Sequence, residues 1–142
     1  MTVHIALKLA GLLLLLLGVA HTLFGRYFRW DTELASLSLF TRQVFQVHCF
    51  FIALTVGLMG GCTLFYTDAL IHSGTLSQLV LAGFALFWFV RLVFQLFVYD
   101  PEIWRGRPLY TFMHGLFSLL WVYLVVTYGC ALWQACRNSQ PV

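Results

Sequence analysis

One arginine constrains this chain more than any other residue in it. Arg91 stands in Phe87-Trp88-Phe89-Val90-Arg91-Leu92-Val93-Phe94-Gln95-Leu96-Phe97-Val98-Tyr99-Asp100, a run apolar enough to span a bilayer. A charge at the centre of a spanning helix costs about 2.5 to 3.5 kcal/mol on insertion scales, so the fold has to give this guanidinium company. Trp88 lies three residues before it, Gln95 one turn after and Tyr99 a turn beyond, which puts all four on one helical face. The other strongly polar residues inside apolar runs are Lys8, His21, Gln43, Gln46, His48 and His114.

The rest of the composition agrees with a membrane setting. Of 142 residues, 61% are hydrophobic and 9% charged, against about 25% charged in a soluble domain. Four segments, at about 3–24, 43–66, 77–99 and 109–136, each supply the roughly 20 residues needed to cross a hydrocarbon core. Little chain remains for a soluble domain. The pattern predicts an all-α integral membrane protein, a four-helix up-down-up-down bundle with 1–142 as a single transmembrane domain. The net charge of +3 is carried near helix ends, so it reads as a topology signal and not as a nucleic-acid surface. Arg26, Arg29, Arg42, Arg105 and Arg107 fall around the first and third loops, whereas Lys8 and Arg137 lie on the other side. Both termini are therefore expected outside the cytoplasm, in the inner membrane if the cell is bacterial.

Along the first span, Lys8, the leucines after it and Gly18-Val19-Ala20 imitate a signal peptide; we expect a retained helix. Its His4, Lys8, Gly11, Leu15, Gly18, His21 and Gly25 recur at spacings of three and four, a seam of small and polar residues opposite leucine. A short interfacial helix is expected over 33–40, capped by Asp31 or Thr32. The second span carries Gly57 and Gly61 four apart, a weak close-approach signal. Asp68, His72 and Gly74 mark a polar turn, and Asp100-Pro101 should stop the third helix. Lys8 is expected to snorkel outward, towards Asp68, with His4 and His72 solvated. Cys62, Cys130 and Cys136 are read as buried free thiols, and Cys49 as a poor co-ligand of His48.

Counting inward from the arginine-rich loops at about 1.5 Å per residue places His21 about 5 Å deep, His48 and His114 about 8 Å, Gln95 about 6 Å and Arg91 about 12 Å. Each span thus delivers a nitrogen-bearing side chain to one slab. Three readings compete for this layer. In the first, His48 and His114 clamp a haem of b type for electron transfer or membrane redox chemistry. His21 is then a second or alternative ligand, with Gly18, Gly25 and Gly115 making room and arginines neutralising propionates. The second is a transition-metal centre of His21, His48 and His114. The third is a polar network that fixes helix register. A quinone or lipid-headgroup pocket lined by Arg91, Trp88, Trp121 and Tyr99 is a further ligand-binding possibility, as is an accessory subunit docking on a larger complex. No GxSxG, P-loop, HExxH, CxxC or dinucleotide fingerprint is present.

Overall fold

The computed structural model describes residues 2–27, 29–72 and 74–139. These are helical apart from short turns, with no strand among them, and four helices are long and apolar enough to cross a membrane. They are α1 (Val3–Tyr27), α3 (Leu39–Phe65), α5 (Thr75–Phe97) and α6 (Pro108–Asn138), of 25, 27, 23 and 31 residues. At 1.5 Å per residue even the shortest is about 34 Å long, enough for a core of about 30 Å. Two short helices, α2 (Trp30–Glu33) and α4 (Thr67–Ile71), and a 3-10 turn at Pro101–Ile103 complete the chain.

The helix ends differ from the sequence reading in instructive ways. The expected interfacial helix at 33–40 is replaced by α2, which stops at Glu33, and α3 starts at Leu39, ahead of the expected 43. The cause is Ser38, whose hydroxyl accepts from the Thr41 N–H at 3.2 Å and pairs with the Thr41 hydroxyl at 2.9 Å. That cap satisfies a first-turn amide and so annexes 39–42 to the spanning helix. The turn around Asp68 winds into α4, and α6 begins at Pro108, a residue preorganised for a first helical turn.

The chain divides into two compact units, Lys8–Tyr66 and Thr67–Val142 together with Met1–Leu7. Within Lys8–Tyr66, α1 and α3 pack antiparallel through their backbones. A Cβ added to Gly11 would lie 2.6 Å from the Leu64 nitrogen, one on Gly60 2.8 Å from the Leu15 nitrogen, and one on Gly18 3.3 Å from the Gly57 Cα. The glycine seam of α1 is thus the contact face. On α3 the contact uses Gly57 and Gly60, not Gly57 and Gly61, because Gly61 points to its own helix's Phe65 ring. Lys8 donates from Nζ to the Leu64 carbonyl at 2.9 Å, in the last turn of α3, where carbonyls lose helical partners and a cation complements the dipole. It therefore does not reach for Asp68. Trp30 closes the connection, set against Gly25 and edge-on to Phe45 at 4.9 Å.

In the other unit α5 and α6 form an antiparallel hairpin. Leu81, Trp88 and Gln95, seven apart, are the buried residues of α5, and they meet Trp121, Leu124, Thr127, Tyr128, Ala131 and Ala135 of α6. A seven-residue repeat is the seam of a left-handed helix crossing. At the far end Gln78 donates to the Ser139 hydroxyl at 2.7 Å. The first turn of α1 joins this unit, with the Tyr123 hydroxyl donating to the Ala6 carbonyl at 2.8 Å. His4, expected to be solvated, holds Asp68 at 3.0 Å, an exposed pair worth little to stability. Cys130 and Cys136 are exposed rather than buried, and all four cysteines are free.

The glycine contacts yield a direct test. Gly11→Val drives a side chain into backbone that cannot rotate away, and should cost on the order of 1–3 kcal/mol as overpacking does. Gly129→Ala, where an added Cβ meets nothing within 4 Å, should leave stability unchanged to within about 0.5 kcal/mol. Thermal unfolding of the two variants in detergent measures the contrast.

Candidate functional site

The α5–α6 hairpin gathers most of the polar side chains singled out above. Its connection is built to fold back. The Glu102 N–H donates to the Asp100 carboxylate at 2.9 Å, and Gly106 takes a φ of +75°, a left-handed conformation that costs other residues energy. Thr111 then donates its hydroxyl to the Trp104 carbonyl at 2.9 Å. These contacts lay the Trp104 ring on the imidazole of His114, with centroids 4.0 Å apart and planes 22° from parallel. Trp104 sits in an arginine-flanked loop and carries no periodic signal that would single it out. The signal that could have found it is Gly106, which allows the reversal.

Under that ring runs a chain of hydrogen bonds whose direction is fixed by one donor. An indole N–H can only donate, and Trp121 gives its own to Gln95 Oε1 at 3.4 Å. The Gln95 amide nitrogen must then face His114 and donate to Nδ1, at 2.8 Å. Neutral His114 consequently carries its proton on Nε2, which leaves no Nε2 lone pair for iron. Gln95 is 6% exposed, so the network also meets the requirement that a buried amide be paired.

Trp121 is the hub of an aromatic stack. Trp88 lies parallel to it at 4.9 Å and 13°, and Phe117 at 5.7 Å and 14°. Trp88 is 1% exposed, and its indole N–H has no hydrogen-bond partner among the described residues. The Arg91 guanidinium carbon sits 5.0 Å from the centre of the Trp121 ring and 5.8 Å from that of Tyr99. Hydrogen bonds were expected for Arg91; among the described residues it has these two ring contacts and neither a carboxylate nor a hydrogen-bond acceptor. A cation–π contact contributes about 0.5–1 kcal/mol at exposed sites and about 2 when desolvated. For a half-buried guanidinium two of them contribute about 1–4 kcal/mol, against about 2.5–3.5 kcal/mol for a charge at the centre of a spanning helix. Five N–H donors still lack lone pairs. Beside Arg91 opens a groove of about 580 Å³, with Arg91 and Tyr99 at one end and Gly83, Leu86, Phe87, Val90 and Phe94 along it.

His21 and His48 belong to the Lys8–Tyr66 unit. Each donates from Nδ1 to the carbonyl one turn back, His21 to Leu17 and His48 to Val44, both at 2.8 Å. Their Nε2 atoms therefore present lone pairs, the tautomer a metal ligand uses. Their levels differ, however. Gly11 lies against Leu64, Leu15 against Gly60 and Gly18 against Gly57. Continued, that register sets His21 level with Leu54 and His48 level with Tyr27, about 9 Å apart along the helices. Counting from the loops puts them nearly level because it takes both helices to end at one height, whereas the register leaves α3 running from Tyr27's level nine residues further, to Leu39. Among the described residues no group of three or more His, Cys, Asp or Glu is placed to hold a metal ion.

Removing the amide that joins the two indole and imidazole partners tests the network. Gln95→Leu keeps the volume but leaves Trp121 Nε1 and His114 Nδ1 unpaired, so stability should fall by about 1–3 kcal/mol in thermal unfolding. A change smaller than about 0.5 kcal/mol would mean that neither bond is formed in the protein in solution.

No protein-family model, no curated protein and no solved structure matches this chain, so its function rests on its own geometry.

Proposed function

We propose that this chain is an integral membrane protein, a four-helix up-down-up-down bundle with both termini outside the cytoplasm, whose α5–α6 hairpin binds the polar head of a membrane amphiphile of lipid or quinone type. The observation that carries the reading is Arg91, a half-buried guanidinium with aromatic faces but no acceptor among the described residues, at the polar end of an apolar groove. Binding sites are commonly apolar clefts with a few convergent polar groups, and intramembrane cations mark such sites. Trp121, Tyr99 and Trp88 supply rigid aromatic surface beside the charge. Gln95 and His114 hold Trp121 in place from the other side.

A second reading keeps the haem, with His21 and His48 as ligands in place of His48 and His114. Its support is the tautomer: both have Nδ1–H tied to a carbonyl and Nε2 left as a lone pair. The difference in level along α1 and α3 weighs against it.

Two experiments address these readings. A reporter active only in the cytoplasm, fused to the C-terminus, should be inactive; strong activity would reverse the orientation. Protein purified in mild detergent should carry about one bound amphiphile per chain by native mass spectrometry, and Arg91→Gln should lose it. A Soret band that disappears in His21→Ala or His48→Ala would instead establish the haem reading.

A further inference from the structure

We infer that the ligand of the α5 groove is an anionic amphiphile, its headgroup on Arg91 and its tail laid along α5 towards Gly83; this rests on the amphiphile reading above and adds charge and direction to it. Charge comes from what Arg91 lacks. Its two neighbours are ring faces, which offer electron density to a cation but no lone pairs to in-plane N–H groups. A neutral quinone carbonyl would accept hydrogen bonds yet leave the positive charge uncompensated. A phosphate or carboxylate does both, and matches the guanidinium fork with two parallel bonds. The Tyr99 hydroxyl, at the same end of the groove, adds a further donor for such a head.

Direction comes from the groove's walls. Gly83, Leu86, Phe87, Val90 and Phe94 recur at three- and four-residue spacings, so they form one stripe, and none offers a polar side-chain atom. From Arg91 to Gly83 the stripe runs eight residues, about 12 Å. At its end a Cβ on Gly83 would meet nothing within 4 Å, so the groove is open there for a chain to continue. A free anion has no use for such a stripe.

The test uses the purified full chain in a neutral detergent and its own tryptophan fluorescence. Bromine-tailed phosphatidylglycerol, bromine-tailed phosphatidylcholine and a short-chain quinone are titrated in turn, with inorganic phosphate as competitor. Phosphatidylglycerol should bind about tenfold or more tighter than phosphatidylcholine, the preference a charge-assisted hydrogen bond supports. Arg91→Gln should abolish that preference while Arg91→Lys keeps part of it. Gly83→Phe should weaken all tailed ligands and leave the preference intact. Equal affinity for phosphatidylcholine or the quinone would overturn the anionic assignment while the amphiphile site stood. Full competition by millimolar phosphate, or an unaffected Gly83→Phe, would overturn the tail path. Quenching by none of the three would bring down the amphiphile reading itself. Should Arg91→Gln fail to fold by circular dichroism, the wild-type lipid preference and the Gly83 variant decide between these outcomes.

Discussion

The guanidinium of Arg91 resting 5.0 Å from the Trp121 ring is the contact on which the rest of the α5–α6 hairpin depends. Trp121 can serve as that platform only if it cannot rotate, and three neighbours prevent it. Trp88 and Phe117 lie near-parallel to it, while Gln95 holds its N–H. Gln95 is in turn held by His114, and His114 by the Trp104 ring that Gly106 allows to fold back. The two hydrogen bonds in this chain pair the Trp121 N–H, the Gln95 amide and His114 Nδ1, as buried polar atoms require. Arg91 stands at the open end, and its cation is the member that the described residues leave short of acceptors.

The two helical hairpins reach the same antiparallel geometry by opposite means. Between α1 and α3 the side chains are removed: Gly11, Gly18 and Gly60 let the backbones touch, which favours close dispersion contacts. Between α5 and α6 the side chains are large. Indoles, a phenol and an amide interleave on a seven-residue seam, and the groove beside Arg91 runs along α5. A ligand site is more readily carved beside bulky, stacked residues than between glycines in contact, so the polar chemistry belongs to the second hairpin.

Hydrogen-bond direction separates histidines that composition treats alike. His21 and His48 donate hydrogen bonds from Nδ1–H to carbonyls one turn back, whereas His114 accepts one at Nδ1 from the Gln95 amide N–H. The first pair thus keeps Nε2 as an acceptor or ligand; the third keeps it as a donor. One imidazole is a structural link in an aromatic network and two are potential ligands, a division invisible in the one-letter code.

By itself the sequence determined the helical class, the four long apolar segments, the glycine seam of α1 and the shared face of Trp88, Arg91, Gln95 and Tyr99. These follow from local rules: helix period, the length needed to cross hydrocarbon, and the cost of an unaccompanied charge in it. The tertiary structure decided the rest. The Ser38 cap moved the start of α3, the α1–α3 register set the levels of His21 and His48, and Gly60 rather than Gly61 met α1. Trp104 reached His114 only through a reversal around Gly106. The direction of the Gln95–His114 bond was set by Trp121, 26 residues from Gln95 along the chain. Periodicity reports which face of a helix a residue occupies, but not the rotation, register and donor direction of the helix it meets, because those are fixed by partners distant in sequence.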